Sequence, residues 1–255
     1  DTDFKTFTAP DHSDAFSMQG ARNDVLVAGE GSVYLRHLRF DAWLRRQKEP
    51  RTHLFSTSSL LDGAEIHRSH WVFGTGDFSR TPVAYSWIVY GPDRWRGSQL
   101  SVPYGLMLAC DGATVWGVRR SHLMRGKPGG EGKYLLFAAR RPEASESRPD
   151  FRKEGLRFAW TAPLPLRPRA MVRAGESLLV AGMTDAFDAG DPSAPCNAVF
   201  QGEGGGRLYV ADARTGKDAG AQPLDAAPVW DGMAVAGGRL YVALADGTLV
   251  CLGAP

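Results

Sequence analysis

One strand–turn–strand unit occurs four times in this chain of 255 residues, and no other feature constrains the fold as much. The four copies begin at Met18, Met107, Met171 and Met233. The segments MVRAGESLLVAG and MAVAGGRLYVAL, which start at Met171 and Met233, align with Gly175 on Gly237. Apolar residues before and after a short glycine or polar turn are the pattern of a β-hairpin.

Repeated antiparallel units must protect their sheet edges, and radial repetition around an axis does so. The sequence therefore predicts an all-β chain in which residues 1–255 form a single β-propeller domain of four-stranded antiparallel blades. Four blades are visible, a fifth is expected around residues 53–90, and long polar insertions lie near 121–150 and 185–206. A decorated β-sandwich is the alternative. The one modest helical candidate is FDAWLRRQ, residues 40–47.

Four or five blades are at the lower end of the range for propellers. We therefore expect this chain to be the C-terminal part of a larger propeller. An upstream segment or a protein partner would then complete the ring by pairing with the first or last strand. Pairing of residues near 4–8 with the strand at 247–252 would contradict this expectation.

Two segments resemble the pyrroloquinoline-quinone-like propeller repeat. They are RLYVADARTGK (207–217), in which a strand runs into a Thr-Gly turn, and PVWDGMAVAGGRLYVALADGTLVCLG (228–253), which is similar to the closing blade of planctomycete-type bacterial propeller proteins. That superfamily includes quinoprotein dehydrogenases, outer-membrane assembly lipoproteins and members without known activity. The resemblance implies the fold and a periplasmic or extracellular location.

Catalytic signatures of the quinoprotein enzymes are not evident. Such enzymes need Ca²⁺, a carboxylate base and aromatic stacking on the quinone, and many place a disulfide between adjacent cysteines against it. The three cysteines, Cys110, Cys196 and Cys251, are far apart, and a tryptophan docking pattern does not repeat from blade to blade. The sequence favours a non-enzymatic scaffold or binding module for a protein or glycan. The alternatives are a quinoprotein-type oxidoreductase and a metal-binding propeller that uses residues 62–71.

Two segments carry candidate metal ligands. His67 and His70 lie in DGAEIHRSHW (62–71) and offer imidazole ligands to a transition metal, although residues three apart on a strand point to opposite faces. Hydrogen bonds between blades are the structural alternative for these histidines. Asp185, Asp188 and Asp191 offer oxygen ligands to Ca²⁺, with a solvated acidic loop as the alternative.

Charge is distributed unevenly along the chain, although the net charge is only +2. Residues 119–173 contain 14 Lys and Arg against 5 Asp and Glu, whereas residues 174–255 contain 4 against 10. A basic face would attract an acidic subunit or an anionic glycan. Candidate partner-binding residues are Arg119, Arg120, Arg125, Lys127, Arg140 and Arg141.

Nucleic acid is not an expected partner, because few aromatic residues interleave with these charges and no recognition helix is evident. No run approaches the roughly 20 apolar residues of a membrane helix, so no transmembrane segment is expected.

Overall fold

The computed structural model describes residues 26–35, 38–49, 51–56, 71–74, 103–120, 134–141, 158–184 and 204–253. These residues form eighteen strands in five sheets, three of them four-stranded, and contain no helix. Over the described residues, the prediction of an all-β fold with four-stranded antiparallel sheets is confirmed. Within these ranges no helix is long and apolar enough to cross a membrane.

The chain divides into two compact units. Unit 1 comprises residues 1–106 and 140–157, and unit 2 comprises residues 107–139 and 158–255.

The described residues of unit 1 form two sheets whose strands follow each other in chain order. Sheet 1 consists of β1 (Leu26–Gly29), β2 (Ser32–Leu35), β3 (Leu38–Phe40) and β4 (Arg46–Gln47). Sheet 2 consists of β5 (His53–Ser56), β6 (Trp71–Gly74) and β7 (Tyr104–Gly105). Sheet 2 begins at His53, where the fifth blade was expected. In the core of this unit the rings of Tyr34 and His53 stack with centroids 4.2 Å apart.

Residues 40–47 do not form the helix for which they were a candidate. They complete β3, turn, and begin β4. The Oδ1 atom of Asp41 accepts hydrogen bonds from the backbone N–H groups of Trp43 and Arg45, both at 2.9 Å. An aspartate that accepts hydrogen bonds from nearby backbone amides stabilises a turn instead of helical hydrogen bonding. The helix suggested for residues 40–47 is therefore absent.

In the part of unit 2 that the structure describes there are three sheets, also with strands in chain order. Sheet 3 consists of β8 (Met107–Cys110), β9 (Thr114–Arg120), β10 (Tyr134–Arg140) and β11 (Phe158–Pro163). Sheet 4 consists of β12 (Leu166–Ala174), β13 (Ser177–Thr184), β14 (Gly206–Asp212) and β15 (Asp218–Leu224). Sheet 5 consists of β16 (Pro228–Ala236), β17 (Arg239–Leu244) and β18 (Leu249–Leu252).

The three repeated segments that begin at Met107, Met171 and Met233 are hairpins, as predicted, and the start of the fourth, at Met18, lies outside the described residues. The hairpins β12–β13 and β16–β17 turn at Gly175 and at Gly237, which have positive φ angles of 57° and 56°. In both, the first methionine pairs with the valine nine residues later, whereas Met107 pairs with Val118. The alignment of the Met107 copy with the other copies is therefore wrong by two residues in its second strand, because its turn is two residues longer. A two-residue shift keeps every side chain on its face of the sheet.

Sheets 4 and 5 pack face to face through an apolar core. Leu208, Leu240 and Val242 are buried there with Ala181, Leu224 and Leu244. The first strand of sheet 4, β12, lies beside the first strands of both neighbouring sheets, β8 and β16. The three sheets of unit 2 thus meet along their first strands.

Residues near 4–8 lie outside the described ranges, so their pairing with β18 is not tested.

Candidate functional site

The first strand of sheet 4 contains three arginines within seven residues, Arg167, Arg169 and Arg173. Strict alternation would place them on one face. However, the register between β12 and β13 shifts between Pro168 and Ala170, so that Arg169 is the extra residue of a β-bulge. Arg167 is then opposite Met183 and Arg173 is opposite Leu178, which puts these two arginines on opposite faces. The bulge therefore distributes positive charge to both sides of the strand.

Arg173 projects toward sheet 3. Its guanidinium carbon lies 4.4 Å from the ring centroid of Trp116, a cation–π contact, and its Nη1 atom lies 3.4 Å from Oδ2 of Asp111. This distance is long for a charge-assisted hydrogen bond. The Nε atom of Arg173 is buried and makes no hydrogen bond to a described residue. Stacking on the indole thus restricts the orientation of the guanidinium, while the side chain stays partly exposed.

Two tryptophans of sheet 3 dock on the turn between β14 and β15. The Nε1 atoms of Trp116 and Trp160 donate to the same carbonyl oxygen, that of Ala213, at 2.7 and 3.2 Å. The turn is closed by Asp212, whose Oδ1 atom accepts from the N–H groups of Arg214 and Thr215 and from the Thr215 hydroxyl at 2.7 to 3.1 Å. These hydrogen bonds lower the pKa of the exposed Asp212 carboxyl.

Arg169 projects toward sheet 5. Its Nη1 atom donates to the carbonyl oxygen of Pro228 at 3.1 Å, and its guanidinium carbon lies 6.0 Å from the ring centroid of Trp230. Next to this ring, Asp231 has a φ of 52°, a left-handed conformation that is uncommon for residues other than glycine. The register between β16 and β17 shifts over the same residues. Both strands are therefore irregular where β12 and β16 meet, and this place contains Arg169, Trp230 and Asp231.

The residues predicted to bind a partner fall into both units. In unit 2, Arg119 is half-buried, with its guanidinium carbon 5.4 Å from the ring centroid of Phe158, and Arg120 ends β9 with its side chain outside the described part. Arg140, which ends β10 but is the first residue of the second segment of unit 1, is exposed. Arg125 and Lys127 lie outside the described ranges.

Arg141 belongs to unit 1 and is engaged there. Its Nη2 atom lies 3.4 Å from Oε1 of Glu30, and its guanidinium carbon lies 5.1 Å from the ring centroid of Phe73. Glu30 also forms an ion pair with Arg51 at 3.6 Å. Convergence of the six predicted residues on one face stays a prediction.

The predicted metal ligands all lie outside the described residues, namely His67, His70, Asp185, Asp188 and Asp191. Within the described ranges no group of three or more His, Cys, Asp or Glu side chains is arranged to hold a metal ion. Both metal sites stay predictions.

Sequence reasoning missed the arginines of β12. Their charge was counted in the basic segment, but a charge pattern does not show that a guanidinium will stack on an aromatic ring of another strand. The available signal was the alternation in LRPRAMVR (166–173), with an arginine at every second position except one.

No family profile and no curated protein matches the chain. Solved structures that are similar to it include the following two. BamB from Moraxella catarrhalis is 11% identical with a TM-score of 0.39, and the match covers 92% of this chain and 64% of the BamB chain. The computationally designed Ika8 protein is 10% identical with a TM-score of 0.32, over 89% of this chain and 70% of the designed chain. The proposed function therefore depends on the residues of this chain alone.

Proposed function

We propose that this chain is an exported β-propeller that binds an acidic protein or glycan partner and catalyses no reaction. The observation that carries the proposal is the position of β12. This arginine-rich strand lies between β8 and β16, so that the basic residues stand where three consecutive sheets meet.

The order of the strands supports the propeller. Each sheet of unit 2 is a meander in chain order, and the first strands of successive sheets are neighbours. Blades arranged around an axis have this relationship, with first strands inside and last strands outside. The docking of Trp116 and Trp160 on the turn after β14 ties the outer part of sheet 3 to sheet 4.

The arginines support an acidic partner. Arg119, Arg169 and Arg173 each lie over an aromatic ring, which restricts the orientation of the guanidinium. A planar guanidinium held in this way presents paired N–H donors that match a carboxylate or sulfate. The side chain of Arg173 is 31% exposed and its contact with Asp111 is long, so an incoming carboxylate can compete with Asp111.

The last sheet supports completion of the ring by another segment. Among the described strands, β18 is the edge strand of sheet 5, and its sequence, LVCL, contains neither a charge nor a proline. The edge strand of sheet 4, β15, contains Asp218 and Pro223, which discourage pairing. An unguarded edge suits a further strand from an upstream segment or from a protein partner.

Binding of defined polyanions tests the proposed function. Labelled poly-L-glutamate and chondroitin sulfate serve as probes, titrated from about 0.01 M to about 1 M salt, over which the Debye length falls from about 30 to about 3 Å. We expect binding at low salt that weakens steadily. The variant with Arg119→Gln, Arg169→Gln and Arg173→Gln should bind less tightly at low salt.

The matched control changes three exposed basic residues of sheet 4 outside the basic segment, Arg207→Gln, Arg214→Gln and Lys217→Gln. Equal loss in both triple variants, or binding that does not depend on salt, would contradict a specific basic face.

Catalysis and location have separate tests. Pyrroloquinoline quinone and Ca²⁺ added to the purified chain should give no bound-quinone absorbance and no dye reduction with alcohols or sugars; either signal would establish the oxidoreductase alternative. Fractionation of native cells should place the protein outside the cytosol, and recovery from the cytosol alone would refute export.

A further inference from the structure

The tip of the β3–β4 hairpin exposes two large apolar side chains in unit 1. Trp43 is 77% exposed and Leu44 is 69% exposed, and the basic residues Arg45 and Arg46 follow them, also exposed. Trp and Arg are the residue types most enriched among the energetically dominant residues of protein interfaces.

The backbone of this tip is strained at Leu44. Its φ is 61°, and a bulky residue with positive φ is an outlier. The same turn occurs between β17 and β18: Leu44 N donates to Asp41 O at 3.0 Å as Gly247 N donates to Leu244 O at 3.1 Å. The position of Leu44 is occupied there by Gly247, with a φ of 88°. Glycine suits this turn position, so a leucine at the exposed tip indicates a role other than stability.

Asp41 holds the tip in one conformation. Its Oδ1 atom accepts from the N–H groups of Trp43 and Arg45, and its Oδ2 atom accepts from Nε2 of Gln47 at 3.1 Å. Asp41 N also donates to Arg45 O at 3.0 Å. The backbone that carries the two apolar side chains is therefore ordered before any partner arrives, which lowers the entropic cost of binding.

We propose that this tip docks into an apolar pocket with an acidic rim on a partner protein. Trp43 and Leu44 enter the pocket, and Arg45 and Arg46 contact carboxylates around it, since their charge is complementary to an acidic rim. A fixed, strained geometry suits a shaped protein pocket, whereas a fluid bilayer offers no shape to match. The inference rests on the proposed function for the class of partner, and it concerns different residues from those of β12.

Site-specific photocrosslinking in cells that express the full chain tests the proposal. p-Benzoylphenylalanine replaces Trp43 in one variant and Leu26, a 64% exposed leucine of β1 in the same sheet, in the control. We expect a protein adduct from position 43 and not from position 26. The adduct should map to partner residues that lie in an apolar pocket beside Asp or Glu.

Binding to the purified crosslinked protein completes the test. Leu44→Gly should weaken binding roughly 10-fold or more, as loss of an interface anchor does. The variant relieves the strain at this turn, so misfolding would not explain the loss. Arg45→Gln with Arg46→Gln should reduce the salt dependence of binding.

Four results would overturn the proposal: no adduct, a lipid adduct, equal adducts from positions 26 and 43, or unchanged affinity of Leu44→Gly. If the polyanions do not bind but the crosslinking test succeeds, the basic segment loses its proposed role. The tip of the β3–β4 hairpin then remains as the contact with the partner.

Discussion

The indole Nε1 atom of Trp116 donates a 2.7 Å hydrogen bond to the carbonyl oxygen of Ala213, across 97 residues of sequence. The bond joins the second strand of sheet 3 to the turn that follows β14 in sheet 4. Trp116 is 4% exposed, so water cannot readily replace a lost partner. This contact therefore fixes how the two sheets pack.

Replacing Trp116 by phenylalanine should destabilise the chain. Trp116→Phe removes the donor and part of a buried ring, and such losses cost about 1–3 kcal/mol. Urea unfolding measures the change, with Trp43→Phe at an exposed position as the control, where we expect less than about 0.5 kcal/mol. Equal stability of the two variants would show that the indole hydrogen bond does not hold the sheets together.

Gly216 should tolerate no side chain. It has a φ of 72°, and a Cβ atom there would collide with Cε3 of Trp160 and lie 2.8 Å from Cδ2. Gly216→Ala combines backbone strain with this clash, and we expect a loss of about 2–4 kcal/mol in the free energy of unfolding. Gly238→Ala, with a φ of 73° and no heavy atom within 4 Å, isolates the backbone contribution and should cost about 1 kcal/mol. The two variants would have similar stability if Trp160 did not pack on the turn.

Two aspartates should affect the pH dependence of stability in opposite directions. Desolvation raises the pKa of Asp231, so the folded state holds this proton more tightly and stability falls as the pH rises from the ordinary aspartate value through the raised one. Hydrogen bonds from Thr248 lower the pKa of Asp246, which therefore adds stability above the ordinary value and loses it as the pH falls.

Unfolding of the two asparagine variants measures these effects. Relative to the unchanged chain, Asp231→Asn should be more stable at neutral pH, and Asp246→Asn should be less stable. Both differences should shrink when the pH is below both pKa values. A neutral-pH loss for Asp231→Asn would contradict the raised pKa.

Local turn chemistry made the hairpins predictable from sequence. Glycines at positions such as Gly175 and Gly237 take the positive φ that these turns need, and alternating apolar residues set the faces of the strands. The frame at Met107 was displaced because turn length is not fixed by the apolar pattern. The tentative helix at 40–47 failed because the side chain of Asp41 competes for backbone amides.

Long-range contacts of the candidate site were not predictable from one sequence. Trp116 and Ala213 are distant along the chain, and nothing in either local segment shows that they meet. The bulge at Arg169 also reverses the face expected for Arg173 relative to Arg167, which alternation alone cannot show. The sequence thus predicted the secondary structure of the site and its residue types, but not their arrangement.

The outer edge of β18 provides the last prediction. Leu244 N donates to Thr248 O, and Val242 pairs with Val250 and Leu240 with Leu252. Because N–H groups alternate between the two sides of an antiparallel strand, those of Val250 and Leu252 point to β17 and those of Leu249 and Cys251 point to the open edge. If another segment or a partner completes this sheet, hydrogen exchange on the isolated chain should be fast at Leu249 and Cys251 and slow at Val250 and Leu252. The two inward amides control for fraying of the whole strand. Slow exchange at all four amides would mean that this chain covers the edge of β18 itself, and the proposed completion by another segment would be wrong.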